Sequence, residues 1–301
     1  MSVFFALSGW CIAQRLQTAV LHGESASLFL LERGLRIFPT YWAALLVTLT
    51  IRLAATAWRH GPGLADLPSG LVAWFGDVLL VQPYLGTSAY VMVSWSLVYE
   101  LGFYLLAACA LAAHRWNVRG AWLLVLGGLL CLWPLVHWRP TALLVLGRWP
   151  DFFAGVVAWR AARDGRRIAV IAGFGALLLL LWMHPLGITD PIGLTAVVTA
   201  ALLLSASFGG LKLPRALGPL AHVGAYSYSL YLIHVTFMSP FMNLTGRTVT
   251  SHSTGFLLVW FAAVALAVAG GWALHHGCEA PVERWRKNLF APVRPARAAS
   301  I

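Results

Sequence analysis

The sequence predicts an all-α fold, a polytopic bundle of nine to ten transmembrane helices. Of its 301 residues, 60% are apolar and only 10% are charged, whereas a soluble domain carries about 25% charged residues. Apolar segments of nearly 20 residues, the length that crosses the hydrocarbon of a bilayer, recur along the chain. The 21 Lys and Arg residues fall mostly between these segments. We therefore interpret the net charge of +11 as topology signals at an anionic lipid surface, and expect no nucleic-acid partner.

Nine stretches are predicted to span the bilayer, and a tenth is shorter. The tenth, Leu71 to Leu85, contains Asp77, Gln82 and Pro83, so it is expected to be a half-span, a re-entrant piece or a short helix. The count of basic residues on alternate sides slightly favours nine spans, with the N-terminus outside. One membrane-embedded domain is expected over residues 1–290, followed by a basic, Pro-rich cytoplasmic tail over 291–301. The nine stretches are residues 1–21, 37–57, 95–113, 120–138, 141–161, 168–184, 191–208, 222–243 and 255–275.

The first candidate site surrounds Glu100, an acidic residue inside one of the apolar stretches. A carboxylate at bilayer depth costs about 2.5 kcal/mol or more, so its default interpretation is functional. Ser96 lies four residues earlier on the same helical face, and Trp95, Phe103 and Tyr104 surround the pair with aromatic side chains. Glu100 could serve as a base, an acid or an electrostatic anchor. The alternative is an ion pair that holds two helices together.

The second candidate site contains two arginines, Arg33 and Arg36, at the mouth of the second predicted span. If this stretch is helical, their spacing places both guanidinium groups on one face. Such a pair is suited to binding phosphate or carboxylate. Tyr41 and Trp42 follow closely. The alternative is ordinary cytoplasmic flanking charge beside an interfacial aromatic belt.

Two further polar clusters lie in apolar surroundings. Arg148 and Asp151 are three residues apart, so we predict that they pair with each other in a structural role. Ser227, Tyr231 and His234 share one helical face. They could guide a sugar or a proton, or simply pack membrane helices together. The four cysteines have neither metal-ligand spacing nor the pattern of a disulfide framework, and no metal site is predicted.

Taken in order, five motifs make the chain resemble the acyltransferase-3 family of integral-membrane acyltransferases over nearly its whole length. The motifs are Phe4-Phe-Ala-Leu-Ser-Gly-Trp10, Arg33-Gly-Leu-Arg-Ile-Phe-Pro-Thr-Tyr-Trp42, Trp95-Ser-Leu-Val-Tyr-Glu-Leu-Gly-Phe-Tyr104, Ser227-Tyr-Ser-Leu-Tyr-Leu-Ile-His234 and Glu279-Ala-Pro281.

The resemblance implies transfer of an acetyl or other short acyl group from cytoplasmic acyl-CoA. The acceptor would be a hydroxyl of a lipid-linked or exported glycan, such as lipopolysaccharide or another polysaccharide. Acyl-CoA would be a co-substrate, with no tightly bound cofactor, and the expected location is the bacterial inner membrane. The expected catalytic residues, in the membrane-embedded active site, are Trp95, Ser96 and Glu100.

By the same resemblance, Arg33 and Arg36 would hold the phosphates of the donor, and Tyr41 is assigned to this donor-binding group. Ser227, Tyr231 and His234 are assigned to the acceptor or its pathway.

Members of the family carry a further helix ahead of the first of these motifs, bearing a histidine thought to be the catalytic base. This chain begins at the motif, so we expect either that the natural protein is longer or that this chain is a degenerate copy, and we expect the 301-residue chain to have little or no activity. A transporter or flippase for a glycan or small anionic solute is the alternative, because Glu100, Arg148 and Asp151 could line a conduction path. That class predicts inverted repeats or paired broken helices, and the sequence shows none. A structural subunit without chemistry is the third possibility.

Overall fold

The computed structural model describes residues 1–58, 67–68, 70–115, 120–133, 141–164, 218–245 and 254–290, with isolated positions between 175 and 205. These residues form helices and no strand, which confirms the all-α prediction for this part of the chain. The predicted spans at 168–184 and 191–208 lie outside the described residues, apart from those isolated positions. So do the end of the 120–138 span and the tail at 291–301.

Several of the described helices are preceded or joined by a short 3₁₀ or π-helical segment. A 3₁₀ turn at Met92–Ser94 precedes α5, a 3₁₀ segment at Thr141–Arg148 precedes α7, and a π-helical turn at His275–Glu279 joins α10 to α11. The α-helices are α1 (Ser2–Leu21), α2 (Ala26–Trp58), α3 (Leu71–Leu79), α4 (Gln82–Leu85), α5 (Trp95–Arg115), α6 (Gly120–Leu130), α7 (Trp149–Asp164), α8 (Gly218–Ala225), α9 (Ser227–Thr245), α10 (Thr254–Leu274) and α11 (Ala280–Leu289).

Four described stretches are long and apolar enough to cross a membrane. They are Ala26–Ala54, Met92–His114, Thr141–Arg163 and Thr254–Leu289. This agrees with an integral membrane protein, while the count of nine to ten spans stays a prediction.

The tenth apolar stretch is divided between two short helices. Its first part, α3, has 9 residues and therefore covers about 13 Å, less than half of the hydrocarbon thickness of about 30 Å. Leu80 then ends α3 with a left-handed backbone at φ 58°. The helices α3 and α4 are each too short to cross the bilayer, and the choice among a half-span, a re-entrant piece and a short helix stays a prediction.

The second helix begins well before the span predicted at residue 37. Ser25 accepts a hydrogen bond at its side chain from the backbone N–H of Leu28, 3.1 Å away, which is how a serine caps a helix N-terminus. Consequently α2 runs from Ala26, and Arg33 and Arg36 lie on a helix. The prediction that these two arginines share one helix face required this stretch to be helical, and it is.

The chain divides into two compact units. The first comprises Met1–Leu30, Ser69–Ala89 and Ser94–Pro219. Within it, α1 packs closely on α7 through two glycines. A Cβ atom added at Gly9 would lie 1.9 Å from the carbonyl oxygen of Phe152, and one added at Gly155 would lie 1.9 Å from that of Ala6. Small residues at such a contact let two helix backbones approach each other directly.

The second unit comprises Leu31–Pro68, Tyr90–Val93 and Leu220–Ile301. Its helix α9 packs on α10 at Gly271, where an added Cβ would lie 2.8 Å from the Cα of Leu230. Hydroxyl groups connect α2 to α9, because Thr48 and Thr236 are hydrogen-bonded at 2.9 Å. The backbone of α2 is thereby held beside the hydroxyl-rich helix that the sequence singled out.

Candidate functional site

The carboxylate of Glu100 is buried in the first unit, with 7% of the residue exposed. Ser8 of α1 donates a hydrogen bond to its Oε1 atom at 3.1 Å. Tyr104, one turn later on α5, donates its phenolic hydrogen to the same oxygen. Two helices therefore fix the orientation of this carboxylate. We call Ser8, Glu100 and Tyr104 the Glu100 cluster.

Aromatic side chains pack around the helix that carries the Glu100 cluster. The ring of Phe5 lies 6.4 Å from that of Trp95 and 4.6 Å from that of Phe152. Phe152 in turn stacks on Phe103 at 4.3 Å. The predicted site residue Trp95 is half-buried, and Ser96 is fully buried one turn before Glu100. The structure thus places all three predicted catalytic residues on the first two turns of α5.

Arg148 and Asp151 form the pair that the sequence predicts. Arg148 Nη1 lies 3.8 Å from Asp151 Oδ2, and Asp151 is fully buried. Both residues lie where the 3₁₀ segment becomes α7, so the ion pair joins two consecutive helical elements. The predicted pairing is confirmed, and its structural role stays a prediction.

A second polar site lies wholly within the second unit, where a cavity of about 420 Å³ opens beside Arg36. Its volume falls in the range of small-molecule sites, about 300 to 1,000 Å³. We call it the Arg36 cavity. Its lining combines cations, carboxylates, a histidine and a threonine with four apolar residues: Leu35, Arg36, Thr40, Ala225, His275, Glu279, Ala280, Val282, Glu283, Arg284 and Lys287.

A short hydrogen-bonded chain reaches the wall of the Arg36 cavity through His275 and Glu279. Ser229, fully buried on α9, donates to Glu279 Oε2 at 2.6 Å. His275 Nδ1 lies 2.9 Å from the same oxygen, and because a carboxylate oxygen accepts, Nδ1 carries the hydrogen. His275 and Glu279 are the two ends of the π-helical turn, and such turns occur often at functional sites.

The three predicted donor-binding residues differ in their exposure and in whether they line the Arg36 cavity. Arg36 is exposed and lines the cavity. Arg33 is buried, with 6% of the residue exposed, and Tyr41 is completely buried; neither is among the lining residues. The structure therefore brings one member of this predicted group to the cavity wall.

The three predicted acceptor residues lie along α9. Tyr231 donates its hydroxyl hydrogen to the carbonyl oxygen of Val93 at 2.9 Å. His234 Nδ1 lies 2.7 Å from the carbonyl oxygen of Tyr231, so this nitrogen carries a hydrogen and is held by the backbone. Ser227 is exposed at the start of the helix. Two of the three side chains thus have backbone partners within the second unit.

Several polar residues of these sites were not among the predicted ones. Ser8 lies 92 positions before Glu100, and only the Ser-Gly motif around it gave a signal. Glu279 belonged to the last motif of the resemblance, whereas His275, Arg284 and Lys287 had no signal beyond their charge. Among the described residues, no group of His, Cys, Asp and Glu side chains is arranged to hold a metal ion.

Comparison with known proteins identifies the family. The family model described as an acyltransferase domain, the acyltransferase-3 family, matches residues 1–276. The chain is also similar to acyltransferase MdmB of Streptomyces mycarofaciens, with 27% identity over 347 residues that cover 99% of this chain and 83% of that protein. No solved structure matches the chain. The match supports an enzyme rather than the transporter that the buried charges also allowed. The chain belongs to the acyltransferase-3 family and is an integral membrane acyltransferase that transfers groups other than aminoacyl groups.

Proposed function

We propose that this protein transfers an acetyl or other short acyl group from acyl-CoA to a hydroxyl of a lipid-linked or exported glycan. The reaction takes place in a bacterial inner membrane that the chain crosses nine to ten times. The observation that carries the proposal is the Glu100 cluster, a buried carboxylate held by two hydroxyl donors from different helices. Such an arrangement is costly in a membrane protein and is explained by a function.

The acceptor hydroxyl oxygen attacks the thioester carbonyl carbon, so a C–O bond forms as the C–S bond breaks. The hydroxyl proton ends on the departing thiolate, which leaves as the free thiol of coenzyme A. Glu100 either accepts the hydroxyl proton as a base, or its negative charge stabilises that proton while it moves to the thiolate. Trp95 and Ser96 complete the centre on the same two turns of α5.

The donor binds through its phosphate groups at the Arg36 cavity. A guanidinium group forms forked, charge-assisted hydrogen bonds with phosphate oxygens, and Arg36 is exposed to the cavity. Arg33 and Tyr41 belong to the same stretch of α2 and support this binding site from their buried positions. The acceptor glycan is guided by Ser227, Tyr231 and His234 on α9.

The test is acyl transfer by membranes that contain the complete protein or its Glu100→Gln variant. Radiolabelled acetyl-CoA is supplied, and label in the endogenous glycan fraction is measured. We expect Glu100→Gln to lower transfer at least a hundredfold while the protein stays in the membrane at its normal level. Glu24→Gln, which changes an acid that pairs with Arg15 in the turn between α1 and α2, outside the Glu100 cluster, is the matched control and should retain transfer.

Two results would contradict this proposal. Normal transfer by Glu100→Gln would show that the cluster is structural. Absence of transfer from acetyl-CoA to any glycan by the wild-type protein, at a normal membrane level, would refute the assigned donor and acceptor.

A further inference from the structure

The last described helix, α11, is anchored to α2 by a buried arginine. Arg286, with 8% of the residue exposed, donates to both carboxylate oxygens of Glu283, at 2.8 and 2.7 Å. It also donates to Oε1 of the buried Glu32 on α2. One guanidinium therefore joins a carboxylate of its own helix to a carboxylate of another helix. Paired in this way, a buried charge has a defined position.

This anchor determines what α11 presents to the Arg36 cavity. Glu32 and Arg36 are four residues apart on α2 and so lie on one face. Because Arg286 binds Glu32, α11 lies beside the turn of α2 that carries Arg36. Arg284 and Lys287 are three residues apart on α11, and both line the cavity together with Arg36. The C-terminal helix thus adds two cations to the predicted donor site.

The acidic residues of the Arg36 cavity already have partners. Glu283 is bound at both oxygens by Arg286, and Lys287 Nζ lies 3.4 Å from one of them. Glu279 accepts hydrogen bonds from Ser229 and His275. Arg284 is exposed and has no ion pair within the part of the chain that the structure describes. The cavity therefore offers cationic groups to an anionic ligand from two separate helices.

We propose that Arg284 and Lys287 form a second phosphate subsite of the donor site, distinct from the phosphate contact at Arg36. The inference rests on the proposed function and specifies its donor: a thioester with a phosphate on the ribose in addition to its diphosphate. A donor that lacks the ribose phosphate, or a thioester of phosphopantetheine alone, leaves this subsite empty. The subsite makes the enzyme selective for coenzyme A itself.

The experiment measures binding to the complete protein in nanodiscs of zwitterionic lipid, with coenzyme A and 3′-dephospho-coenzyme A as probes. Wild-type protein should bind coenzyme A more tightly by roughly tenfold to a hundredfold, the range for hydrogen bonds to charged groups. The double variant Arg284→Ala/Lys287→Ala should bind the two probes about equally, with its affinity for the dephospho form unchanged. Arg284→Lys should keep part of the preference.

Arg163→Ala is the matched control, since it removes an exposed cation that does not line the cavity; the wild-type preference should persist. Arg284 and Lys287 are exposed, so the double variant should also unfold at the wild-type temperature. Equal binding of both probes by the wild type, or an undiminished preference in the double variant, overturns the second subsite and leaves the proposed function standing. If the wild type binds neither probe, the assigned donor is refuted as well.

Discussion

Because α1 and α7 are in close contact, we predict that Gly9→Ala disrupts the Glu100 cluster, although Gly9 is not one of its members. The new Cβ would lie 1.9 Å from the carbonyl oxygen of Phe152 and 2.9 Å from its carbonyl carbon. A Cβ atom needs a separation of at least 3.0 Å, so the two backbones must move apart by about 1 Å. The obstacle is main chain and cannot swing aside as a flexible side chain could.

The neighbouring residue connects this displacement to the site. Ser8 donates to Glu100 across 3.1 Å, and a shift of about 1 Å at Gly9 exceeds the range in which that hydrogen bond persists. Overpacking of this kind costs about 1 to 3 kcal/mol of stability, and we expect the upper end because backbone atoms clash. A misplacement of about 1 Å lowers catalytic activity by about a hundredfold.

The assay compares Gly9→Ala with Gly128→Ala in detergent. A Cβ at Gly128 of α6 would meet nothing within 4 Å, so this control makes the same chemical change in open space. We expect the thermal unfolding midpoint and acyl transfer to fall for Gly9→Ala, with both retained for Gly128→Ala. Equal midpoints and equal transfer rates for the two variants would refute the close backbone contact as the support of Ser8.

Three other substitutions test separate parts of the structure. Tyr104→Phe removes one hydroxyl donor to Glu100, so transfer should fall about tenfold or more in the glycan-labelling assay with normal membrane insertion; wild-type rates would contradict this. Arg286→Met removes the cation that bridges Glu283 and the buried Glu32 and should destabilise the protein by about 3 kcal/mol. Its thermal unfolding midpoint should drop, and an unchanged midpoint would show that the bridge contributes little. Gly271→Ala places a Cβ 2.8 Å from the backbone of α9 and should cost about 1 to 3 kcal/mol by the same measurement; a wild-type midpoint would contradict a close approach of the two helices.

The sequence could predict what depends on local spacing. Arg148 and Asp151 lie three residues apart on successive turns, so their pairing follows from helix geometry alone. Glu100 could be identified because a carboxylate is rare and costly in an apolar segment. Tyr104 is predicted as one of the aromatic side chains around Glu100. Its hydrogen bond to the carboxylate depends on the orientation of the side chain, which the sequence does not specify.

What could not be predicted depends on which helices meet. The approach of Ser8 to Glu100 depends on how α1 packs, which Gly9 and Gly155 permit but do not signal. The early start of α2 was hidden because Glu32 and the arginines after it lower the local hydropathy. The helix ends at Leu80, where the backbone is left-handed. Leucine seldom adopts this conformation, so the sequence pattern does not predict where the helix ends. Which cations face the Arg36 cavity likewise depends on the partner of Arg286.

The π-helical turn at His275–Glu279 has a consequence for how the end of the chain can vary. It places a wider turn between α10 and α11, and one residue corresponds to a rotation of about 100° in an α-helix. A π-helical turn holds nearly one residue more than an α-helical turn, so converting these five residues to regular α-helix without deleting any would rotate everything after them by close to that angle. Arg286 would leave Glu32, and Arg284 and Lys287 would face away from Arg36. Within the described chain, therefore, the orientation of the C-terminal cations depends on the π-helical form of five residues, and loss of that form would switch the face they present without any change in the cations themselves.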